Sequence, residues 1–265
     1  KAFDLKKIQR GNKALEVDRN LVEPLAKAYL ERMSLDDKIE QLHGSKSSGD
    51  MGTEKGLYWS GENLEQGIPP LKMVDGPRGL RSGLATAFPV PMARGASFDP
   101  ALEKRVGMAI GAEVAAVGGN VLLAPTINLL RHPGWGRAQE TYSEDPFHMG
   151  LMGLAFVCGA QNFVLASPKH FALNNLEITR FEVSSEIEER ALHEVYLPHF
   201  KRSILEGGAA SIMSAYNKVN GTYCGENHDL LEKILRVDWG FEGFVESDWL
   251  LGTRSTARAI NSGMD

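Results

Sequence analysis

From about residue 71 onward, short apolar segments alternate with longer helical segments. The apolar segments at residues 71–74, 121–125 and 163–167 are bounded by polar, glycine or proline residues, which predicts short buried strands. Between them, residues 100–117 have the apolar spacing of an amphipathic helix, and residues 145–161 are also predicted to be helical. This alternation predicts βα units on a parallel sheet and excludes a β-sandwich and a helical bundle.

The same alternation continues to the C-terminal end of the chain. Helices are predicted at residues 185–206 and 228–237, and strands at residues 209–217 and 244–245. The last strand leads directly into Asp248, so a carboxylate stands at a strand end.

The part of the chain before residue 71 is simpler. Residues 1–20 are polar and predict an extended lead-in, and residues 44–62 are rich in Gly and Ser and predict a loop. Residues 20–33 have a helical period. Ser34 is the expected cap of a second helix, with Asp37 three residues later at the positive helix start.

Composition narrows the classes of function. The chain has 265 residues, of which 43% are hydrophobic and 24% charged, as in ordinary globular proteins. Its formal net charge of -5 offers no basic surface, so nucleic acid is not expected as a partner. No apolar run approaches the ~20 residues of a membrane-spanning helix, so no membrane span is expected.

The two cysteines and the N-terminus say little about the compartment. Cys158 and Cys224 make no disulfide framework and lack zinc-site spacing, so we expect two free structural thiols. The sequence starts at Lys1 without an apolar signal segment. The location is periplasmic or secreted if a signal was removed before Lys1, and cytoplasmic otherwise. The oligomeric state also stays open.

Polar side chains follow the predicted strands at the points where the strands end. In a barrel the carboxyl ends of parallel strands meet at one face, so these side chains are expected to converge. Asp, Arg and Lys groups hydrogen-bond ring hydroxyls, and Trp and Tyr rings cover an apolar C–H face, which suits a sugar. The residues are Asp75, Arg78, Arg81, Arg137, Glu140, Lys169, His170, Tyr216, Asn217, Asp248 and Trp249.

Other interpretations of single residues remain open at this level. Asp248 could cap the following helix, because Asp is a favoured N-cap. Lys169 could form a Schiff base, as an aldolase lysine does, although its polar surroundings do not favour an uncharged amine. His170 could be a structural histidine. The sequence has no metal-binding spacing and no phosphate loop, so neither a metal nor a cofactor is expected.

Seven stretches, taken in order, resemble glycoside hydrolase family 3, the family of β-glucosidases and β-xylosidases. Each stretch is a weak signal by itself, but the ordered set is specific and spans roughly residues 30–265. The stretches are residues 74–77 (VDGP) with Arg81, 135–146 (WGRAQETYSEDP), 169–171 (KHF), 174–180 (NNLEITR), 192–198 (LHEVYLP), 213–217 (MSAYN) and 247–249 (SDW).

The resemblance implies a role for each matching position. Asp248 matches the catalytic nucleophile. The positions that match residues holding the sugar in the first subsite are Asp75, Arg81, Arg137, Lys169 and His170. Those that match the wall of this subsite are Met213, Tyr216 and Trp249. Positions that match residues often found near the site are Glu140, Glu177 and Arg180.

The resemblance also implies a fold and a domain organisation. The fold is α/β, a TIM-like (β/α)8 barrel that is incomplete or irregular. Residues 1–20 are then an N-terminal extension, and residues 21–265 are the barrel domain, truncated near its C-terminal end. We expect a C-terminal α/β sandwich domain in the missing part of the same polypeptide.

The implied activity is that of an exo-acting retaining β-glycosidase, most closely a β-glucosidase. It would hydrolyse terminal β-linked sugars of a β-glucoside or related oligosaccharide through a covalent glycosyl–Asp248 intermediate. The chain lacks the Pro-Gly-His-Gly loop of the N-acetylglucosaminidase branch after His170, so the general acid/base is expected outside these residues. The alternatives are a β-xylosidase or other family member, a barrel lyase or aldolase using Lys169, and a non-catalytic sugar-binding protein.

Overall fold

The computed structural model describes residues 19–44 and 56–265, with helices and short strands alternating along most of the chain. The strands are β1 (Tyr58–Ser60), β2 (Leu71–Asp75), β3 (Val121–Leu123), β4 (Leu165–Ala166), β5 (Ser184–Ser185), β6 (Ser211–Met213), β7 (Lys218–Val219), β8 (Thr222–Tyr223) and β9 (Phe244–Glu246). The α-helices are α1 (Arg19–Arg32), α2 (Leu35–Glu40), α3 (Pro91–Gly95), α4 (Pro100–Ala116), α5 (Pro146–Ala160), α6 (Glu189–Ala191), α7 (Pro198–Leu205) and α8 (Thr256–Asn261). Two π-helices (Leu192–Tyr196 and Asp229–Asp238) and two 3-10 helices (Ala138–Glu140 and Cys224–Glu226) complete this part of the chain.

The strands that carry the site are parallel and follow one another in chain order. β2, β3 and β4 pair in parallel, and β1 joins the edge of this sheet antiparallel to β2. β6 and β9 form a second parallel pair. The two sheets are linked because Met213 N donates to Pro168 O and Phe171 N donates to Met213 O. The predicted parallel α/β arrangement is confirmed.

The barrel expected from the family resemblance is incomplete within residues 19–44 and 56–265, where the strands do not close into one eight-stranded sheet. The main sheet has four strands and the β6–β9 sheet has two, while β5, β7 and β8 form a separate small sheet. Several strands are only two or three residues long, so few ladder hydrogen bonds extend from one to the next. The structure in this part of the chain is therefore a partial barrel.

Side chains alternate between two apolar clusters along each parallel strand, as the period of two requires. One set of strand residues packs with helix residues such as Ile110 and Phe156: Val74, Leu122, Ala166, Ile212 and Val245. The other set packs together on the inner face: Met73, Val121, Leu123 and Met213, with Leu165 and Phe244 against them. The inner cluster lies beneath the strand ends and supports the residues that follow them.

Helices α4 and α5 approach each other closely enough for backbone contact. A Cβ atom on Gly159 would lie 2.1 Å from the carbonyl oxygen of Lys104, and one on Gly107 would lie 2.5 Å from that of Phe156. Both distances are shorter than any side chain tolerates, so glycine at these positions permits the packing. The pair packs behind β3 and β4.

The cap of α2 is confirmed. Asp37 N donates to the Ser34 hydroxyl, and Ser34 N donates to the Asp37 carboxylate at 2.9 Å, which makes a reciprocal capping box. Cys158 and Cys224 are free and buried, as expected. Burial raises the pKa of Cys158 to about 11 and that of Cys224 to about 12, so both remain thiols.

Two sequence predictions need correction, and a third concerns residues that lie almost wholly outside the described ranges. The helix predicted over residues 185–206 is interrupted, because Ser184–Ser185 pairs with β7 and Pro198 starts a new helix. Strand β1 lies within residues 44–62, where a loop was expected, because its backbone pairs with β2. The extension at residues 1–20 falls almost wholly outside the described residues, and α1 begins at Arg19.

Candidate active site

A cavity of about 610 Å³ opens at the C-terminal ends of the parallel strands. β2 ends at Asp75, Lys169 follows β4, Tyr216 follows β6, and Asp248 follows β9, so successive strands deliver these groups to one place. The predicted site residues that line it are Asp75, Arg78, Arg81, Arg137, Glu140, Lys169, His170, Arg180, Tyr216, Asp248 and Trp249, whereas Asn217 does not line it. The residues from 76 to 87 form much of another wall.

Asp75 and Lys169 form the polar floor of the cavity. Lys169 Nζ donates to Asp75 Oδ1 at 2.8 Å, and Arg81 lies 3.6 Å from the other carboxylate oxygen. Burial acts to raise the pKa of Asp75, but the charges of Lys169, Arg81 and Arg137 outweigh it and lower that pKa. Asp75 is therefore an ionised acceptor facing the cavity.

His170 is a neutral histidine whose ring nitrogens both have partners. Arg137 donates to Nε2 at 2.8 Å, and Nδ1 lies 3.0 Å from the Oδ1 of Asn128. These partners assign the proton to Nδ1, because Nε2 must accept from a guanidinium. Burial, together with the charges of Arg137, Lys169 and Arg180, lowers the pKa of His170 well below its usual value. Although His170 Nε2 is 3.7 Å from Asp248, the two do not form an ion pair.

The Asp248 side chain is buried, and only one of its two carboxylate oxygens accepts a hydrogen bond. Its Oδ1 accepts from the Trp249 backbone N–H at 2.8 Å, while its Oδ2 is buried without a hydrogen-bond partner among the described residues. Burial raises the pKa of Asp248, against the opposing effects of Lys169, the Trp249 N–H, Tyr216 and Arg137. The charges of Lys169 and Arg137 favour the Asp248 anion, but the effect of burial on the pKa is larger.

Trp249 forms an aromatic wall that is held on two sides. Its indole packs against Tyr58 with ring centroids 4.5 Å apart. The Tyr216 hydroxyl donates to the Trp249 carbonyl oxygen at 2.6 Å, and Arg180 lies over the Tyr216 ring. These contacts fix the ring that faces the cavity.

Two acidic residues hold the cations of the site in place. Glu140 accepts from Arg137 at 2.7 Å, and Glu177 is 3.1 Å from Arg180. Glu177 does not line the cavity, and its Oε1 is buried without a partner in the described part of the chain. Glu140 therefore orients Arg137, and both side chains line the cavity.

Met213 is placed differently from the other predicted wall residues. It is buried in the inner cluster with Met73 and Leu123 and does not line the cavity. Its position in β6, below Tyr216, follows from the strand alternation. Met213 therefore lies under the floor in this structure.

Sequence reasoning missed two charged residues close to the site, the buried Arg94 and the half-buried Glu246, whose carboxylate oxygen Oε2 is buried. Arg94 donates to the carbonyl oxygens of Pro77 and Pro89, near the two ends of the wall formed by residues 76–87. Glu246 lies two residues before Asp248 and bonds Ser167. A charged residue within an apolar strand was a signal for Glu246, whereas nothing near Arg94 distinguished it from a surface arginine.

The helices of residues 19–44 and 56–265 include none that is both long and apolar enough to cross a membrane. In the same ranges, no group of three or more His, Cys, Asp or Glu side chains is arranged to hold a metal ion.

Comparison with known proteins shows the family. Residues 52–262 match the model of the glycosyl hydrolase family 3 N terminal domain. The chain belongs to glycoside hydrolase family 3. Among its family 3 relatives, it is 41% identical over 245 residues to a beta-glucosidase of Rhizobium radiobacter and 40% identical over 246 residues to beta-glucosidase B of Emericella nidulans. The alignments cover 89% and 90% of this chain but 28% of each relative.

Solved family 3 structures have the same fold. Beta-glucosidase 3B from Thermotoga neapolitana, in complex with alpha-D-glucose, matches with a TM-score of 0.86 and 38% identity. That match covers 89% of this chain and 35% of the other. The beta-glucosidase DesR from Streptomyces venezuelae, in complex with D-glucose, matches with a TM-score of 0.84 and 37% identity, over 91% of this chain and 30% of the other.

Proposed function

We propose that this family 3 chain is the nucleophile-bearing domain of an exo-acting retaining β-glucosidase. The observation that carries the proposal is the unpaired Oδ2 of Asp248, buried at the cavity beside Lys169 and Arg137. The names of its relatives and the glucose bound in two structural neighbours support the sugar class. The substrate is a β-glucoside or a related oligosaccharide.

In this proposal Asp248 forms a covalent bond with the sugar. Its carboxylate oxygen attacks the anomeric carbon, the bond to the aglycone oxygen breaks, and an acid protonates the departing oxygen. Water then attacks the same carbon, gives up a proton to the same acid/base, and displaces Asp248, so configuration is retained. Asp75 accepts from ring hydroxyls, and Lys169 and Arg137 donate to them.

The acid/base lies outside this chain in our proposal. The chain spans 28% of the length of each of the two beta-glucosidase relatives named above, so most of such a protein lies outside the matched part. We propose that residues 21–265 form the barrel domain and that an α/β sandwich domain of the same polypeptide brings a Glu to the cavity. The two catalytic carboxyl groups would then lie about 5–5.5 Å apart, as a retaining mechanism requires.

The alternative activities receive less support. A Schiff-base lyase would need an uncharged Lys169, whereas its amine donates to Asp75 at 2.8 Å as half of an ion pair. A pure sugar-binding protein would not need the unpaired carboxylate oxygen of Asp248. No contact in the cavity distinguishes a β-xylosidase from a β-glucosidase.

Replacement of Asp248 tests the proposal. In the full-length protein, Asp248→Ala should lower kcat on an aryl β-glucoside by about 10³-fold or more, because a covalent nucleophile is removed. Azide should restore turnover and give the α-glycosyl azide, since it enters the space left by the carboxylate. Asp36→Ala, at an exposed position on α2, is the matched control and should leave kcat unchanged. Unchanged turnover in Asp248→Ala would remove Asp248 from the nucleophile role.

A further inference from the structure

Glu246 is a buried carboxyl group for which the reaction above has no use. It is the last residue of β9, and Asp248 follows two residues later. Strand alternation places Glu246 on the inner face with Phe244, whereas Val245 packs toward the helices. Its carboxyl group is therefore held inside the partial barrel, beneath the floor of the sugar cavity.

Two serine hydroxyls hold this carboxyl group. Ser167 donates to Glu246 Oε1, Ser211 lies 3.4 Å from the same oxygen, and the two hydroxyls are 3.1 Å apart. The other oxygen, Oε2, is buried and has no hydrogen-bond partner within the described ranges. Ser167 precedes Lys169 by two residues, so the cluster touches the segment that delivers the lysine to the cavity.

The charged groups that act on Glu246 are those of the sugar site. They are Lys169, which follows β4, and Asp248, at the end of its own strand, while the β6 contact is the uncharged Ser211. Burial raises the pKa of Glu246 to about 7, the Ser167 hydrogen bond and Lys169 oppose the rise, and Asp248 adds to it. The group thus changes charge near neutrality.

We propose that Glu246 is a positioning residue of the sugar site that acts through the charge of Lys169, the ion-pair partner of Asp75. The inference rests on the proposed function, which assigns Lys169 and Asp75 to sugar binding. With Glu246 neutral, Lys169 remains directed to Asp75 at the cavity floor. An ionised Glu246 competes for the ammonium and adds a second negative charge beneath Asp248. Sugar binding consequently weakens as the pH rises through neutrality.

The test measures the dissociation constant of glucose by calorimetry on the full-length protein. In the wild type it should rise about tenfold between about pH 5.5 and about pH 8.5, in keeping with one new charge near the site. Glu246→Gln should abolish this rise, because the amide still accepts from Ser167 but cannot ionise. Ser167→Ala should move the rise to higher pH, because the hydrogen bond that lowers the Glu246 pKa is lost. Glu65→Gln, at an exposed position, is the matched control and should follow the wild type.

The outcomes separate this inference from the proposed function. An equal rise in wild type and Glu246→Gln overturns the inference, as does weaker binding by the same factor at every pH, which indicates a merely structural role. If Glu246→Gln does not fold, Ser167→Ala decides, and an unmoved transition overturns the inference. Glucose binding without turnover of an aryl β-glucoside contradicts only the proposed function.

Discussion

At the scale of single residues, the two oxygens of Asp248 have different surroundings. Oδ1 is oriented by the Trp249 N–H, whereas Oδ2 is buried without a partner in the described part of the chain. A buried carboxylate oxygen without a hydrogen bond lowers the stability of the folded protein. A bound substrate can interact with this oxygen and offset that loss. The Tyr216 hydroxyl, which donates to the Trp249 carbonyl oxygen, lies near enough to Asp248 to lower its pKa against the effect of burial.

Removal of the Tyr216 hydroxyl should therefore change the acid side of the pH profile. Tyr216→Phe removes a group that favours the Asp248 anion, so the pKa of Asp248 should rise further above its ordinary value. The acid limb of kcat/KM for an aryl β-glucoside should move up by roughly 0.5–1 pH unit. Tyr223→Phe, a tyrosine outside the cavity, should leave the limb in place. A limb that stays in place in Tyr216→Phe would show that this hydroxyl does not act on Asp248.

At the scale of elements, α3 fixes the wall formed by residues 76–87. Arg94 is buried and bonds the Glu103 carboxylate at 2.8 Å and 3.0 Å, and Tyr142 donates to the same carboxylate at 2.6 Å. Its guanidinium also bonds the carbonyl oxygens of Pro77 and Pro89. One buried cation therefore joins α3, α4 and both ends of the wall.

Removing the charge of one partner of the buried Arg94–Glu103 ion pair should destabilise the folded protein. Glu103→Gln leaves the Arg94 charge incompletely compensated and should lower the free energy of unfolding by about 3–5 kcal/mol. Tyr142→Phe removes one hydrogen bond and should cost about 1 kcal/mol. Chemical denaturation of the full-length protein measures both. The double variant Arg94→Met/Glu103→Leu should cost less than the sum of its single changes, and simple additivity would contradict the coupling.

Local sequence signals were sufficient to predict some helices but not others. The predicted helices at residues 100–117 and 145–161 agree closely with α4 and α5, because proline at the start and a capping Asp mark both N-termini. The segment at residues 185–206 did not follow its local pattern. Its first residues pair with β7, which lies more than thirty residues further along the chain, and such a pairing has no local signal.

At the scale of the whole molecule, the sugar site exists only because distant strands end at the same place. Asp75 and Lys169 are 94 residues apart in sequence and 2.8 Å apart in space. A ligand that binds this assembled site stabilises the folded state, since the unfolded chain has no such site.

Glucose should accordingly stabilise the full-length protein through Asp75. At a hundredfold excess over its dissociation constant, a ligand adds about 2.7 kcal/mol to the free energy of unfolding. Asp75→Asn should lose most of this increment at the same glucose concentration, because an ionised acceptor becomes a neutral amide. The measurement compares unfolding with and without glucose, so any change in baseline stability cancels. Asp36→Asn is the control, and an undiminished increment in Asp75→Asn would exclude Asp75 from sugar binding.

The sequence by itself determined the class of fold, the order of its main strands and helices, and most residues of the cavity. Apolar periodicity and turn residues act over a few positions, and the ordered motifs identified the groups that follow each strand. Only the tertiary structure decided how those groups are charged and paired. In the folded chain His170 is neutral and the pKa of Asp248 is raised. Met213 lies below the cavity floor, and the carboxyl group of Glu246 is buried. Burial and long-range neighbours produce these properties, and neither can be read from a segment before the chain has folded.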